Sequence, residues 1–262
     1  MNEEPLLVTL DGPVATLTLN RPGVGNAIDL PLAQALMRAA IRCDQDDRVR
    51  CVVLTGAGRL FCAGGDLSAF AAAGDQVPSF LSELAGTLHM GISRLQRMAK
   101  PLLVLVNGPA AGAGLSLALI GDIVIAVRSA HFTAAYGSVG LSPDGGMSWL
   151  LPRLIGLRRA QDMIIANRRV HAEEAAGIGL ITRVVEDTEL VSAGAEAIRS
   201  LANAPTRAVG AARALLLDSF DGALEAHLDR EARHITASAA TRDCREGVAA
   251  YLGRRKPDFV GA

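Results

Sequence analysis

Asn107–Val127 reads NGPAAGAGLSLALIGDIVIAV, a glycine-rich turn that opens a short apolar helix and runs on into a buried strand. Ahead of it, Pro101–Val106 (PLLVLV) is a continuous apolar run of strand length, the pattern of a strand covered on both faces. A helix beginning at Gly112 would aim free backbone N–H groups and its positive dipole end at the turn, which favours partial negative charge on a ligand there. Nucleotide-binding patterns do not fit. No lysine follows Gly114 as a phosphate loop requires, and Leu117 stands where the dinucleotide pattern needs glycine or alanine. What remains is a turn of small side chains that lets a ligand touch main-chain N–H groups, the way an oxyanion hole is made. The same residues also read as a turn that only packs a helix closely on a sheet.

Two further glycine turns flank this centre. Upstream, Val14–Asn20 (VATLTLN) alternates like a half-buried strand ended by Arg21-Pro22-Gly23. Pro31–Cys43 has helical apolar spacing, and Val49–Leu54 (VRCVVL) is a buried strand leading to Phe61–Leu67 (FCAGGDL). Ser68–Pro78 (SAFAAAGDQVP) is rich in small residues without a clear period and is expected to be a mobile loop or lid. From Ser79 to Ala99, Leu84, Leu88, Ile92 and Leu95 form one helical stripe, with His89 beside it. Downstream, His131–Ala135 reads as a short strand and Tyr136–Gly146 as the third glycine-rich connection, which carries Asp144. Trp149–Ile155, Arg158–Ala166 and Ala172–Ile178 read as short helices and Leu180–Val185 as a strand. Beyond Leu190 the pattern is helical, with a break at Pro205 and amphipathic helices over Ala208–Phe220 and Ala223–Gly253. The expectation is an α/β core over residues 1–200 and a helical region over residues 201–262.

A chain of 262 residues, half of them hydrophobic and with a formal net charge of −1, can bury one large core but offers no basic field to nucleic acid or an anionic membrane. Surplus apolar surface points to self-association. The opening MNEEPLL has acids where a signal peptide has basic residues, and the apolar run Leu115–Val127 is broken by Asp122 and too short to span a bilayer. A cytoplasmic protein is expected. Cys43, Cys51, Cys62 and Cys244 have neither metal-ligand nor CxxC spacing and read as small core or boundary residues. Neither a metal nor a permanently bound cofactor is expected.

Taken in order, CAGGDL at Cys62–Leu67, NGPAAGAG at Asn107–Gly114 and GLSPDGG at Gly140–Gly146 resemble the crotonase, or enoyl-CoA hydratase/isomerase, family. Asn26-Ala27 and REGVAAYLGRRKPDF at Arg245–Phe259 are similar to its early loop and its C-terminal helix. The resemblance implies a spiral of strand-strand-helix turns, with C-terminal helices that build a homotrimer or a dimer of trimers. It implies an acyl-CoA substrate, coenzyme A being part of the substrate, and an enolate-like oxyanion held by the N–H groups of Gly65 and Ala113. Coenzyme A would meet main chain near Ala27 and Ala63 and the Asp66-Leu67 segment, with Lys256 or its arginine neighbours on phosphate. Asp66 also reads as a turn or cap acid.

Departures from the family pattern narrow the chemistry. Hydratases of the family use two glutamates where Ser116 and Tyr136 stand here, and neither replacement is a carboxylate base near neutral pH. Asp144 takes the position similar to the acid-base residue of one isomerase branch. One carboxylate suffices for a β,γ to α,β shift, because it can take a proton from C2 and return it to C4. By itself Asp144 also reads as an ordinary Pro-Asp-Gly turn residue. His89, Tyr136 and Asp144 further resemble the aryl-CoA dehalogenase site, where aspartate attacks a chlorinated ring and histidine activates water. Those enzymes carry tryptophan at the position of Tyr136 and a bulky aromatic at that of Gly65. The sequence reading is an enoyl-CoA isomerase, with dehalogenase, hydratase and non-catalytic acyl-CoA binder as alternatives.

Overall fold

The computed structural model describes residues 4–262. Leu6–Asp11 (β1) and Val14–Leu19 (β2) form an antiparallel hairpin about Gly12, whose φ of +53° suits a tight turn. No strand was expected at β1, because its apolar Leu7, Val8 and Leu10 are exposed and leave no alternation to read. Parallel pairing then runs from β2 through Cys51–Gly56 (β3), Leu102–Val106 (β4), Ile123–Val127 (β6) and Arg183–Val185 (β9). The order is β1-β2-β3-β4-β6-β9. A smaller sheet holds Ala110–Ala111 (β5), His131–Thr133 (β7) and Val170–His171 (β8), and a bridge from Cys62 to Ala110 extends it. Of the run Leu180–Val185, only β9 pairs as strand.

Helices follow the strands. Leu30–Gln45 (α1) starts where the Asp29 side chain accepts the Leu32 N–H at 2.9 Å and where Pro31 fits the first turn. Leu67–Ala73 (α2) and a short 3-10 turn at Gly74–Gln76 lead into Val77–Arg97 (α3). The expected loop at Ser68–Pro78 is therefore helical. Asp66 caps α2 by accepting from the Ser68 and Ala69 N–H groups, and no residue of α2 is fully buried, so no apolar period marks it. On α3 the stripe Leu84, Leu88, Ile92 and Leu95 is buried, each leucine worth about 1.5–3 kcal/mol of burial. Gly91 lets α3 lie against α1, since a Cβ there would stand 3.2 Å from the Met37 backbone.

Two successive turns of the chain each add a strand to the large sheet, a short strand to the small sheet, and then helix. β4 and β5 lead to Ala113–Leu119 (α4), and β6 and β7 lead to Met147–Ile155 (α5) and Leu157–Ile165 (α6). The central strands are packed from both faces, with Val52, Leu54, Leu103, Val104 and Ile125 all at 0% exposure, which explains their unbroken apolar runs. Ala172–Gly177 (α7), Leu190–Ala202 (α8), Thr206–Asp218 (α9), Leu224–Ala239 (α10) and Arg242–Leu252 (α11) complete the chain. The stretch Ala223–Gly253 is thus broken, because Thr241 caps a new helix by accepting the Cys244 N–H. Buried Arg213 docks α9 on the core through an ion pair to Asp122 at 2.6 Å and a hydrogen bond to the Leu95 carbonyl. Beyond it, Leu224, Leu228, Ile235 and Tyr251 of α10 and α11 are at least half exposed. Among the described residues no helix is long and apolar enough to cross a membrane.

Candidate active site

A cavity of about 620 Å3 opens between the three glycine turns, within the range of about 300–1,000 Å3 of small-molecule sites. Ala27, Ala63, Gly65, Asp66, Leu67, Ala113, Tyr136 and Asp144 all line it. Its walls are largely apolar, from Phe70, Leu84, Leu88, Val139 and Leu141. His89 stands behind Asp144, outside the lining. Lys256 lies after α11 and is not brought to the cavity within one chain.

Some main-chain N–H groups in the lining have no acceptor among the described residues, and two of them directly follow glycines of positive φ. Gly64 and Gly112 have φ of +105° and +52°, conformations that side chains disfavour. Around them, Ile28 N–H donates to Gly64 O, Asp66 N–H to Ile28 O, Ala111 N–H to Cys62 O and Gly112 N–H to Thr133 O. The N–H groups that follow the two glycines, those of Gly65 and Ala113, have no backbone acceptor among the described residues. The turns are in contact: a Cβ on Gly64 would stand 3.0 Å from the Ala111 carbonyl oxygen and 3.5 Å from Gly112 Cα. At Gly64 a side chain is disfavoured by closeness as well as by φ, and at Gly112 by φ. Two free donors in an apolar cavity suit an acceptor atom that gains negative charge.

Buried Asn26 holds the first turn, donating to the carbonyls of Ala57 and Leu60 at 2.8 Å and accepting the Arg21 N–H at 2.9 Å. Arg21 in turn ion-pairs with Asp29 and Asp66, each at 3.0 Å. Both Asp66 oxygens are consequently committed, Oδ1 to the α2 cap and Oδ2 to Arg21, the cap role read from the sequence. The Phe70 ring lies against Gly65, where a Cβ would stand 2.6 Å from Cζ, and it meets Phe80 edge-on at 6.0 Å. Gly65 itself carries no aromatic bulk. Phe70 supplies that bulk from the next helix, a placement that only α2 creates.

Asp144 sits in the turn before α5, where Gly145 and Gly146 have φ of +61° and +83°. The Tyr136 hydroxyl donates to Asp144 Oδ1 at 2.5 Å. Ser116, fully buried on α4, donates from Oγ to the Asp144 carbonyl at 2.9 Å. The Gly145 N–H donates to His89 Nε2 at 3.0 Å, and the same nitrogen is 3.5 Å from Asp144 Oδ2. Burial first, then the charge and hydrogen bond of Asp144, push the Tyr136 phenol far above its ordinary range, so it stays a protonated donor. Four sequence-read positions therefore converge: Ser116, Tyr136, His89 and Asp144.

Comparison with known proteins shows what the chain is similar to. Residues 10–262 match the enoyl-CoA hydratase/isomerase family. The chain is 38% identical to the 1,2-epoxyphenylacetyl-CoA isomerase of Escherichia coli over 98% of this chain and 99% of that one. It is equally 38% identical to a probable enoyl-CoA hydratase of Rhodobacter capsulatus, over 95% of each. The crystal structure of a putative enoyl-CoA hydratase/isomerase from Mycobacterium abscessus superposes with a TM-score of 0.93 at 33% identity, over 98% of this chain and 100% of that one. The chain belongs to the enoyl-CoA hydratase/isomerase family and has the crotonase fold. It is an acyl-CoA enzyme of that family.

Proposed function

We propose that this enzyme is an isomerase that moves a carbon–carbon double bond of an acyl-CoA thioester from the β,γ to the α,β position. The carrying observation is that two carboxylates line the cavity, Asp66 and Asp144, and Asp66 is fully committed to its helix cap and Arg21. Asp144 Oδ2 is the free base. It takes a proton from C2, the thioester oxygen of the resulting dienolate accepts from the Gly65 and Ala113 N–H groups, and Asp144 returns the proton to C4. Each oxyanion donor is worth roughly 2.7–4 kcal/mol by analogy with other enzymes. No permanently bound cofactor is needed, since coenzyme A arrives with the substrate. Against hydration stands the absence of a carboxylate pair, because Ser116 and Tyr136 spend their protons on Asp144 itself.

The apolar walls favour an uncharged acyl group. Lys256 would serve coenzyme A phosphate from a neighbouring subunit, and the exposed leucines and isoleucine of α10 would pack between copies in a homotrimer or a dimer of trimers. Hydrolytic dehalogenation is the second reading, favoured by the 3.5 Å approach of His89 to Asp144. Incubation with β,γ-enoyl-CoA, α,β-enoyl-CoA and chlorobenzoyl-CoA, with products identified by mass and ultraviolet spectrum, decides the reaction. Isomerisation of the first without chloride release from the third is the expected result. Fast hydration of the second would overturn the reading.

A further inference from the structure

His89 has one nitrogen facing two neighbours of opposite demand. Nε2 is 3.0 Å from the Gly145 N–H, which needs an acceptor, and 3.5 Å from Asp144 Oδ2, which would need a donor. An imidazole nitrogen cannot do both. The shorter contact makes Nε2 the acceptor of the Gly145 N–H. In that state Nε2 has no proton to give Asp144 and no lone pair left to activate water.

Gly145 follows the proton carrier directly, and its amide is one of three hydrogen bonds that set the turn. Ser116 Oγ–H holds the Asp144 carbonyl, Tyr136 holds Oδ1, and His89 holds the next peptide. Gly145 is also wedged on Ser116, where a Cβ would stand 2.8 Å from Ser116 Cβ. Positive φ at two successive glycines is sterically free but leaves the backbone little restrained by its own side chains, so the ties fix its direction. The three ties come from three different elements, α4, the 3-10 segment after β7, and α3, so each constrains a different direction.

We propose that His89 is a positioning residue, whose Nε2 accepts the Gly145 N–H and thereby aims the Asp144 carboxylate at the substrate, with no part in activating water. The proposal rests on the reading of Asp144 as proton carrier. Its test compares His89→Leu, which has no acceptor, with His89→Gln, whose side-chain oxygen can take the Gly145 N–H. Both are assayed for kcat and KM on a β,γ-enoyl-CoA beside Asp144→Asn. Misplacing a reacting group by about 1 Å costs on the order of 100-fold, so His89→Leu should lower kcat about 10- to 100-fold with KM little changed. His89→Gln should recover most of that loss. Should the leucine variant fail to fold by circular dichroism, His89→Ala supplies the same comparison. Native kcat in the acceptor-free variant, or no recovery in His89→Gln, overturns the proposal. If Asp144→Asn is inactive while His89→Leu is native, only the positioning role falls. If Asp144→Asn is itself active, the isomerase reading falls and takes this proposal with it. Accumulation of a covalent ester on Asp144 in His89→Gln with chlorobenzoyl-CoA would replace it by water activation.

Discussion

Tyr136 donates its hydroxyl to Oδ1 of Asp144 across 2.5 Å, and this makes the two oxygens of one carboxylate unequal. Oδ1 is occupied by a donor that stays protonated, while Oδ2 has only the nearby His89 nitrogen at 3.5 Å. A proton can therefore come and go at one atom, which suits transfer between two carbons of the same substrate.

Asp144→Asn removes the carboxylate proposed as proton carrier with little change in size. We expect isomerase kcat to fall about 100- to 10,000-fold, the usual worth of general acid-base catalysis, while the affinity for an unreactive acyl-CoA thioester, measured by calorimetry, stays near native. Native turnover in the variant would remove Asp144 from the chemistry.

Gly112→Ala tests the second donor. A Cβ at Gly112 meets only ordinary contacts, Gly64 Cα at 3.5 Å and Ala134 O at 3.8 Å, so the strain is conformational, from φ of 52° and ψ of −128°. The cost in stability should be about 1–3 kcal/mol. If the backbone relaxes, the Ala113 N–H turns away and kcat drops about 100- to 1,000-fold with every thioester. Urea unfolding and steady-state kinetics report the two effects separately, and unchanged kinetics would contradict the donor role.

Tyr136 should leave a signature at alkaline pH. Its phenol is raised in the folded chain by burial and by Asp144, against about 10 in the unfolded chain. The folded state then holds its proton longer, so the stabilisation is fully present below about pH 10 and is lost as pH rises further. Plotted against pH, the urea midpoint of the native protein should decline above that value more steeply than that of Tyr136→Phe. Parallel declines would refute the coupling.

Substrate charge offers a fourth check. Among the described residues no lysine, arginine or histidine lines the cavity, so a carboxylate at the far end of the acyl group would be buried unpaired beside Asp144. An uncompensated buried charge costs about 3–5 kcal/mol, or at least about 100-fold. Competing a β,γ-enoyl-CoA against its ω-carboxy analogue should show that preference in kcat/KM, and equal use of both would mean that the distal group stays in water.

Local chemistry made much of this enzyme legible before any coordinates. The apolar runs at Val49–Leu54 and Pro101–Val106 announce β3 and β4 because strands buried on both faces cannot alternate, and Leu84, Leu88, Ile92 and Leu95 mark α3 because one face of a helix repeats at 3.6 residues. Glycines at 64 and 112 read as turns, since positive φ costs glycine little and other residues more. Where the surroundings rather than the residues set the outcome, sequence was silent. β1 is an edge strand with an exposed apolar row, and α2 is a short helix held by the Asp66 cap with no fully buried residue, so neither carries a period. The grouping in the candidate site is of that second kind. His89, Ser116, Tyr136 and Asp144 come from α3, α4, the segment after β7 and the turn before α5. Nothing along the chain encodes that Nε2 of His89 meets the amide of Gly145, 56 positions away. Packing of α3 against the core brings them together, and hydrogen-bond geometry, which depends on distance and direction in space, decides which atom gives a proton and which receives one.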